Sequence, residues 1–295
     1  MADIRDRLRQ QIGAQGPRGV LSGEAAKALE DKLRGASAGQ TAEERRAALY
    51  SPVDVYFVAD ATGSMDYLLT SVRKGASAIG TELFNNPDKG EIRMGISVVR
   101  DHKDPLYFEQ GVLRNTHREL EADISAIRCF GGDDLPEAYE CAWLDLARNI
   151  PTLSGQRKRV VVFAGDAIPH GLLGNAQSGV RVSNYYDNGC PSNVDYRTAW
   201  RALTTAANLT LFVGCHRDTY TNETEMERAQ RSIVDATKAD QKYIPLAQIG
   251  DISALVMAAT RIVQSPTAAR EYIARLQLED RGRATRIAGY FGVGK

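Results

Sequence analysis

Residues 53–65 read VDVYFVADATGSM. From Val53 to Ala59 the run is apolar except for Asp54, the composition of a strand buried on both faces of a parallel sheet. Asp60-Ala61-Thr62-Gly63-Ser64 ends it, and a helical pattern follows through Phe84. Working outward, Arg93–Val99 (RMGISVV) predicts a second strand and 106–113 a third, more exposed one. A helix is expected over 117–127, before the Gly131-Gly132 turn. Another should begin near Pro136, a favoured first-turn residue, and run to Asn149. Arg159–Ala164 (RVVVFA) predicts a further buried strand, ending at Gly165-Asp166. Residues 171–193, rich in Gly, Asn and Ser, read as a long loop or insertion. Helix 195–208, strand 209–215, helix 222–238, strand 242–245 and helix 251–264 complete the pattern. Strands alternating with helices predict an α/β fold, with a mainly parallel central sheet and helices on both faces.

The flanks read differently. Ser22 is placed to cap a helix over 23–34, and T-A-E-E from Thr41 is a capping box for a second helix over 42–50. Beyond Pro266 a helix over 267–278 and a basic, Gly-containing tail are expected. This divides the chain into a helical N-terminal extension (1–51), a central domain (52–264) and a C-terminal helix and tail (265–295). The extensions are too poor in large apolar residues for cores of their own, so they should dock on the domain or on a partner.

Composition narrows the function classes. The 295 residues carry 37 basic and 37 acidic side chains, a formal net charge of zero. That argues against a nucleic-acid or membrane binder driven by charge. No apolar run approaches the ~20 residues of a membrane span, and the N-terminus MADIRDRLRQQ has no apolar signal region. Cys129, Cys141, Cys190 and Cys215 are widely spaced with no CxxC pair. This spacing argues against a disulfide framework or a zinc site and points to a reducing, cytoplasmic setting.

In open α/β sheets, ligands bind outside the carboxyl ends of the strands. Three polar loops fall there: Asp60-Thr62-Ser64, Gly131-Gly132-Asp133-Asp134, and Asp166 with Ala167-Ile168-Pro169-His170-Gly171. Carboxylates and hydroxyls without cysteine make a hard, all-oxygen site suited to Mg²⁺ or Mn²⁺. Each loop also has a structural reading, because Asp, Thr and Ser cap helices. For Arg100-Asp101-His102 a structural salt bridge and ligand selection both stand, and His170 reads as a loop residue. Gly35-Ala36-Ser37-Ala38-Gly39 fits the G-x-S-x-G pattern but lacks the buried strand a nucleophile elbow needs. His216-Arg217-Asp218 reads as a strand-end loop, since no glycine-rich phosphate loop accompanies it.

Taken in order, DATGSM, GGDDLPE and the strand-terminal Asp166 resemble the von Willebrand factor type A (vWA) domain with its metal-ion-dependent adhesion site. With Arg100-Asp101-His102 and GDAIPHG, the wording is similar to the subfamily found beside alpha-kinases and in hemicentin-like proteins. The resemblance covers roughly 52–264 and implies a Rossmann-like vWA fold. It implies that Thr62 and Ser64 ligate a divalent cation (Mg²⁺, or Mn²⁺ or Ca²⁺ in its place). Asp60 would bind directly or through water, and Asp166 through water. Where the family has a threonine, this chain has Asp134, with Asp133 as the alternate. The resemblance also implies an open coordination position for an acidic group of a partner protein. The expected function is therefore a non-enzymatic, metal-dependent protein-interaction module, an adaptor or regulatory subunit. Family analogy offers an ATPase, a kinase or a defence-system component as partner. The alternative is a metal-dependent hydrolase or phosphatase at the same acidic site. Against it, the second aspartate of a haloacid-dehalogenase-like site falls at Thr62, and no suitably placed cation follows.

Overall fold

The computed structural model describes residues 50–84, 90–132, 135–151, 157–173, 189–215 and 223–292. The helices expected over 23–34 and 42–50, the Gly35–Gly39 pattern and the His216-Arg217-Asp218 triplet lie outside them, except for Tyr50. The described residues belong to one compact unit, Ala47–Lys295.

Six strands form the central sheet: β1 (Val53–Asp60), β2 (Ile92–Val99), β3 (Phe108–Glu109), β5 (Lys158–Gly165), β7 (Leu209–Gly214) and β8 (Gln241–Pro245). Their order is β3-β2-β1-β5-β7-β8, parallel throughout except for β3. This is the expected Rossmann-like α/β class, with a mainly parallel sheet. The order in which strands are added reverses between the parallel β1 and β5, so their carboxyl ends open the crevice where such sheets bind ligands.

Side-chain alternation divides the core in two, because successive residues of a strand point to opposite faces. Val53, Val55, Phe57 and Ala59 join Val160, Val162 and Ala164 in one apolar cluster; Tyr56, Val58, Val161 and Phe163 enter the other. The first face is covered by α1 (Asp66–Phe84) and α7 (Ile252–Gln264), the second by α3 (Tyr139–Asn149) and α5 (Tyr196–Thr205). In α1 the buried Leu68, Leu69, Val72, Ile79 and Leu83 recur at helical spacing.

Several elements differ from expectation. Only Phe108 and Glu109 of the span 106–113 pair with β2, because the Gly111 amide turns to the Ser97 hydroxyl at 3.0 Å. Pro136 does not start a helix. Pro136–Glu137 (β4) pairs with Ile168–Pro169 (β6) as a two-strand ladder, and α3 begins only at Tyr139. The helix expected over 222–238 (α6, Glu223–Arg231) stops at Arg231. Between α1 and α3 lies α2 (His117–Ala126), and His170–Leu173 forms the short helix α4. The C-terminal tail is not a tail: after α8 (Pro266–Glu279), Asp280 caps α9 (Arg281–Phe291). Arg283 and Arg286 of α9 both bind the buried Asp251 carboxylate, at 3.0 and 2.7 Å. Ala284 and Ile287 enter the first apolar cluster beside Tyr272, Ile273 and Leu276 of α8.

At the sheet end opposite the crevice, Asp54 receives Arg93 at 2.7 Å and Arg157 at 2.8 Å. Burial pushes its carboxyl up, but hydrogen bonds from the two guanidinium groups outweigh this and hold it below the usual value. A depressed carboxyl contributes stability above its unfolded value of ~4, lost as pH falls through the lower folded value. Removing one partner of a buried pair costs ~3–5 kcal/mol, but Arg93 is 36% exposed and Arg157 keeps its pair with Glu91, so Asp54→Asn should cost about 2 kcal/mol at neutral pH. It should also flatten the acid limb of stability against pH. Denaturant melts from pH 3 to 7 that leave wild type and variant parallel would refute this role.

Candidate metal centre

Asp60 is the last residue of β1 and has no solvent exposure. Its Oδ1 accepts from the Thr62 amide at 2.8 Å and the Thr62 hydroxyl at 2.6 Å, which curls the turn back on the strand end. Its Oδ2 accepts from the Tyr139 hydroxyl. Thr62 Oγ1 lies 3.3 Å from Ser64 Oγ, which donates to Asp166 Oδ1 at 3.1 Å. Four residues from two neighbouring strand ends thus form one continuous chain of oxygens. Mg²⁺ at ~2.1 Å from octahedral ligands sets adjacent oxygens ~3 Å apart. The hydroxyl and carboxylate spacings fit that geometry.

The Gly131-Gly132 loop closes one side. The Phe130 amide donates to Ala61 O at 3.1 Å and the Gly63 amide to Gly131 O at 3.2 Å. Gly132 has φ +77°, and a Cβ there would stand 2.7 Å from Thr62 Cβ and 3.1 Å from Glu137 Oε1. Only glycine lets this backbone pass between the two side chains. Asp133 and Asp134 lie outside the described residues.

Two residues that the sequence reading did not single out belong to the centre. Tyr139, the first residue of α3, reaches Asp60 with its hydroxyl and accepts from the Ala167 amide at 3.2 Å. That hydroxyl is pushed well above its ordinary value, first by burial and then by the charges of Asp60, Asp166 and Glu137. Glu137 is thus a further buried carboxylate at the site. It stood inside GGDDLPE, whereas Tyr139 carried no sequence signal at all. Burial also pushes Asp60 up, against the hydrogen bonds from Thr62 and Tyr139. Three buried carboxylates around one hydroxyl form a field that a divalent cation would compensate.

Arg100 takes the structural one of its two readings. Its guanidinium pairs with Glu109, donates to Arg128 O at 3.0 Å and lies over the Phe130 ring at 4.1 Å. Asp101 and His170, both buried, share a hydrogen bond of 2.6 Å. His170 is therefore the first residue of a helix locked to the β2 end, not a loop residue.

No family model matches the chain, and no curated protein does. Solved structures do. The von Willebrand factor domain of the type V pilus tip protein Mfa5 from Porphyromonas gingivalis is 13% identical, with a TM-score of 0.49 over 73% of this chain and 97% of that one. The pilus adhesin SpaC from Lactobacillus rhamnosus GG is 13% identical in its open conformation, with a TM-score of 0.47. That match covers 72% of this chain but only 30% of the adhesin.

Proposed function

We propose that this chain is a metal-dependent protein-interaction module, an adaptor or regulatory subunit that captures an acidic partner group through Mg²⁺ held by Asp60, Thr62, Ser64 and Asp166. Asp134 is the proposed ligand from the third loop, with Asp133 as its alternate. The observation that carries the reading is the unbroken oxygen chain from Asp60 to Asp166 at the sheet's switch point. Buried Asp60, Thr62 and Asp166 lie below the half-buried Ser64 and the exposed Gly63, so the site faces solvent along one narrow front. Phe130, 42% exposed on the adjoining loop, offers an aromatic contact beside it. Every Asp60 oxygen already accepts from Thr62 or Tyr139, which suits a fixed ligand better than a nucleophile.

Immobilised full chain should retain its protein partner in millimolar Mg²⁺ and release it in EDTA, and Asp60→Asn should fail to retain it. Identical retention in all three conditions would remove the metal from the interaction. A Mg²⁺-dependent hydrolysis of p-nitrophenyl phosphate, abolished by Asp60→Asn, would instead establish the phosphatase alternative.

A further inference from the structure

A second cluster of metal-ligating side chains is assembled from three separate elements. His102 follows β2, Cys141 lies in the first turn of α3, and Cys190 sits before α5. Cys141 Sγ and Cys190 Sγ are 3.5 Å apart, and Cys190 Sγ is 3.7 Å from His102 Nε2. All three ligand atoms lie within 4.8 Å of one another. A tetrahedral zinc with Zn–S of ~2.3 Å and Zn–N of ~2.05 Å sets S···S at roughly 3.8 Å and S···N at roughly 3.6 Å. The two edges that meet at Cys190 match these values to within a few tenths of an ångström, and the third lies within 4.8 Å. Among the described residues this is the one such group, and none of the four cysteines is in a disulfide.

We infer that His102, Cys141 and Cys190 bind a zinc ion, at a site separate from the oxygen-lined centre. Two thiolates and an imidazole select zinc over Mg²⁺, just as the oxygen chain around Asp60 selects the reverse. Glu140, next to Cys141, has no solvent exposure and interacts with Cys190. Its carboxyl also meets the backbone of Gly171. Its oxygens fall outside the three-ligand group, so it is the group at hand to hold a water in the fourth position. Such an ion would tie the segment entering α5 to the start of α3 and to the β2 end. Because Tyr139 and Cys141 share one helical turn, the zinc would also hold in place the helix start that supports Asp60.

The full chain, purified under reductant without chelator, should contain one equivalent of zinc by elemental analysis. Cys190→Ser and His102→Ala should each fall below about a fifth of an equivalent while keeping the wild-type circular dichroism. His102 is only half-buried, so its truncation keeps the test open if Cys190→Ser does not fold. Cobalt added to metal-free protein should give the thiolate charge-transfer and intense d–d bands of a tetrahedral site, absent in both variants. Asp60→Asn should keep its zinc, which separates this site from the Mg²⁺ reading. Zinc below a fifth of an equivalent together with no cobalt spectrum, or full zinc retention in both variants, would overturn the proposal. So would a Cys141–Cys190 disulfide in the purified protein.

Discussion

On the proposed metal reading, Mg²⁺ should stabilise this chain, and Asp60→Asn should abolish that stabilisation. A ligand that binds only the folded state stabilises by RT ln(1 + [L]/Kd), about 2.7 kcal/mol at a hundredfold excess over Kd. For a unit of this size that corresponds to a shift in Tm of roughly 5–10 °C. The variant should show a shift near zero. Asparagine keeps the shape of the buried side chain: its Oδ1 can accept from the Thr62 amide, and its amide can donate to the Tyr139 oxygen. Loss of the metal response would therefore not be loss of the fold. Without metal the variant should be no less stable than wild type, because it removes a carboxylate whose charge burial disfavours. Thermal melts with and without millimolar Mg²⁺ decide the matter. An equal upward shift in both proteins would show that Asp60 is not a ligand.

Which parts of the centre were readable in the sequence has a physical explanation. Asp60 and Asp166 each terminate a run of apolar residues, so strand polarity alone brings them to one edge of the sheet. Thr62 and Ser64 follow through the spacing of a turn. The partners that complete the site depend on where α3 starts, and the sequence misplaced that point. Pro136 is a good first-turn residue, yet the pairing of Pro136–Glu137 with Ile168–Pro169 delays the helix to Tyr139. That delay brings the Tyr139 hydroxyl onto Asp60. The thiol cluster was hidden for a related reason. Cys141 and Cys190 are 49 residues apart, and no local spacing rule reports a site closed by three distant elements. The basic C-terminal stretch misled by composition, since its charge is consumed by the buried Asp251 and not by solvent.

Gly165→Ala should be among the most damaging single-methyl changes available in this protein. A Cβ at Gly165 would stand 2.2 Å from the Tyr139 hydroxyl oxygen and 2.8 Å from Cζ, well inside contact distance. The ring has no room to retreat. It is fully buried, with its centroid 4.6 Å from that of Phe163 and 6.0 Å from that of Trp143. Any displacement also breaks the hydrogen bonds that join this hydroxyl to Asp60 and to the Ala167 amide. Overpacking a close-fitted core costs ~1–3 kcal/mol, and each buried polar group left unsatisfied adds ~1–3 kcal/mol. The expected loss is roughly 3–5 kcal/mol, with weaker Mg²⁺ binding through the displaced Asp60. Tyr139→Phe alone removes the hydroxyl without a clash and should cost about 2 kcal/mol through the two orphaned partners. In the double variant the worst overlap is gone and only the Cζ contact remains, so the two penalties should sum to less than additivity by more than about 1 kcal/mol. Denaturant melts of the four proteins measure this coupling directly. A Gly165→Ala protein within about 0.5 kcal/mol of wild type, or a cycle that is strictly additive, would mean that Gly165 does not set the position of Tyr139.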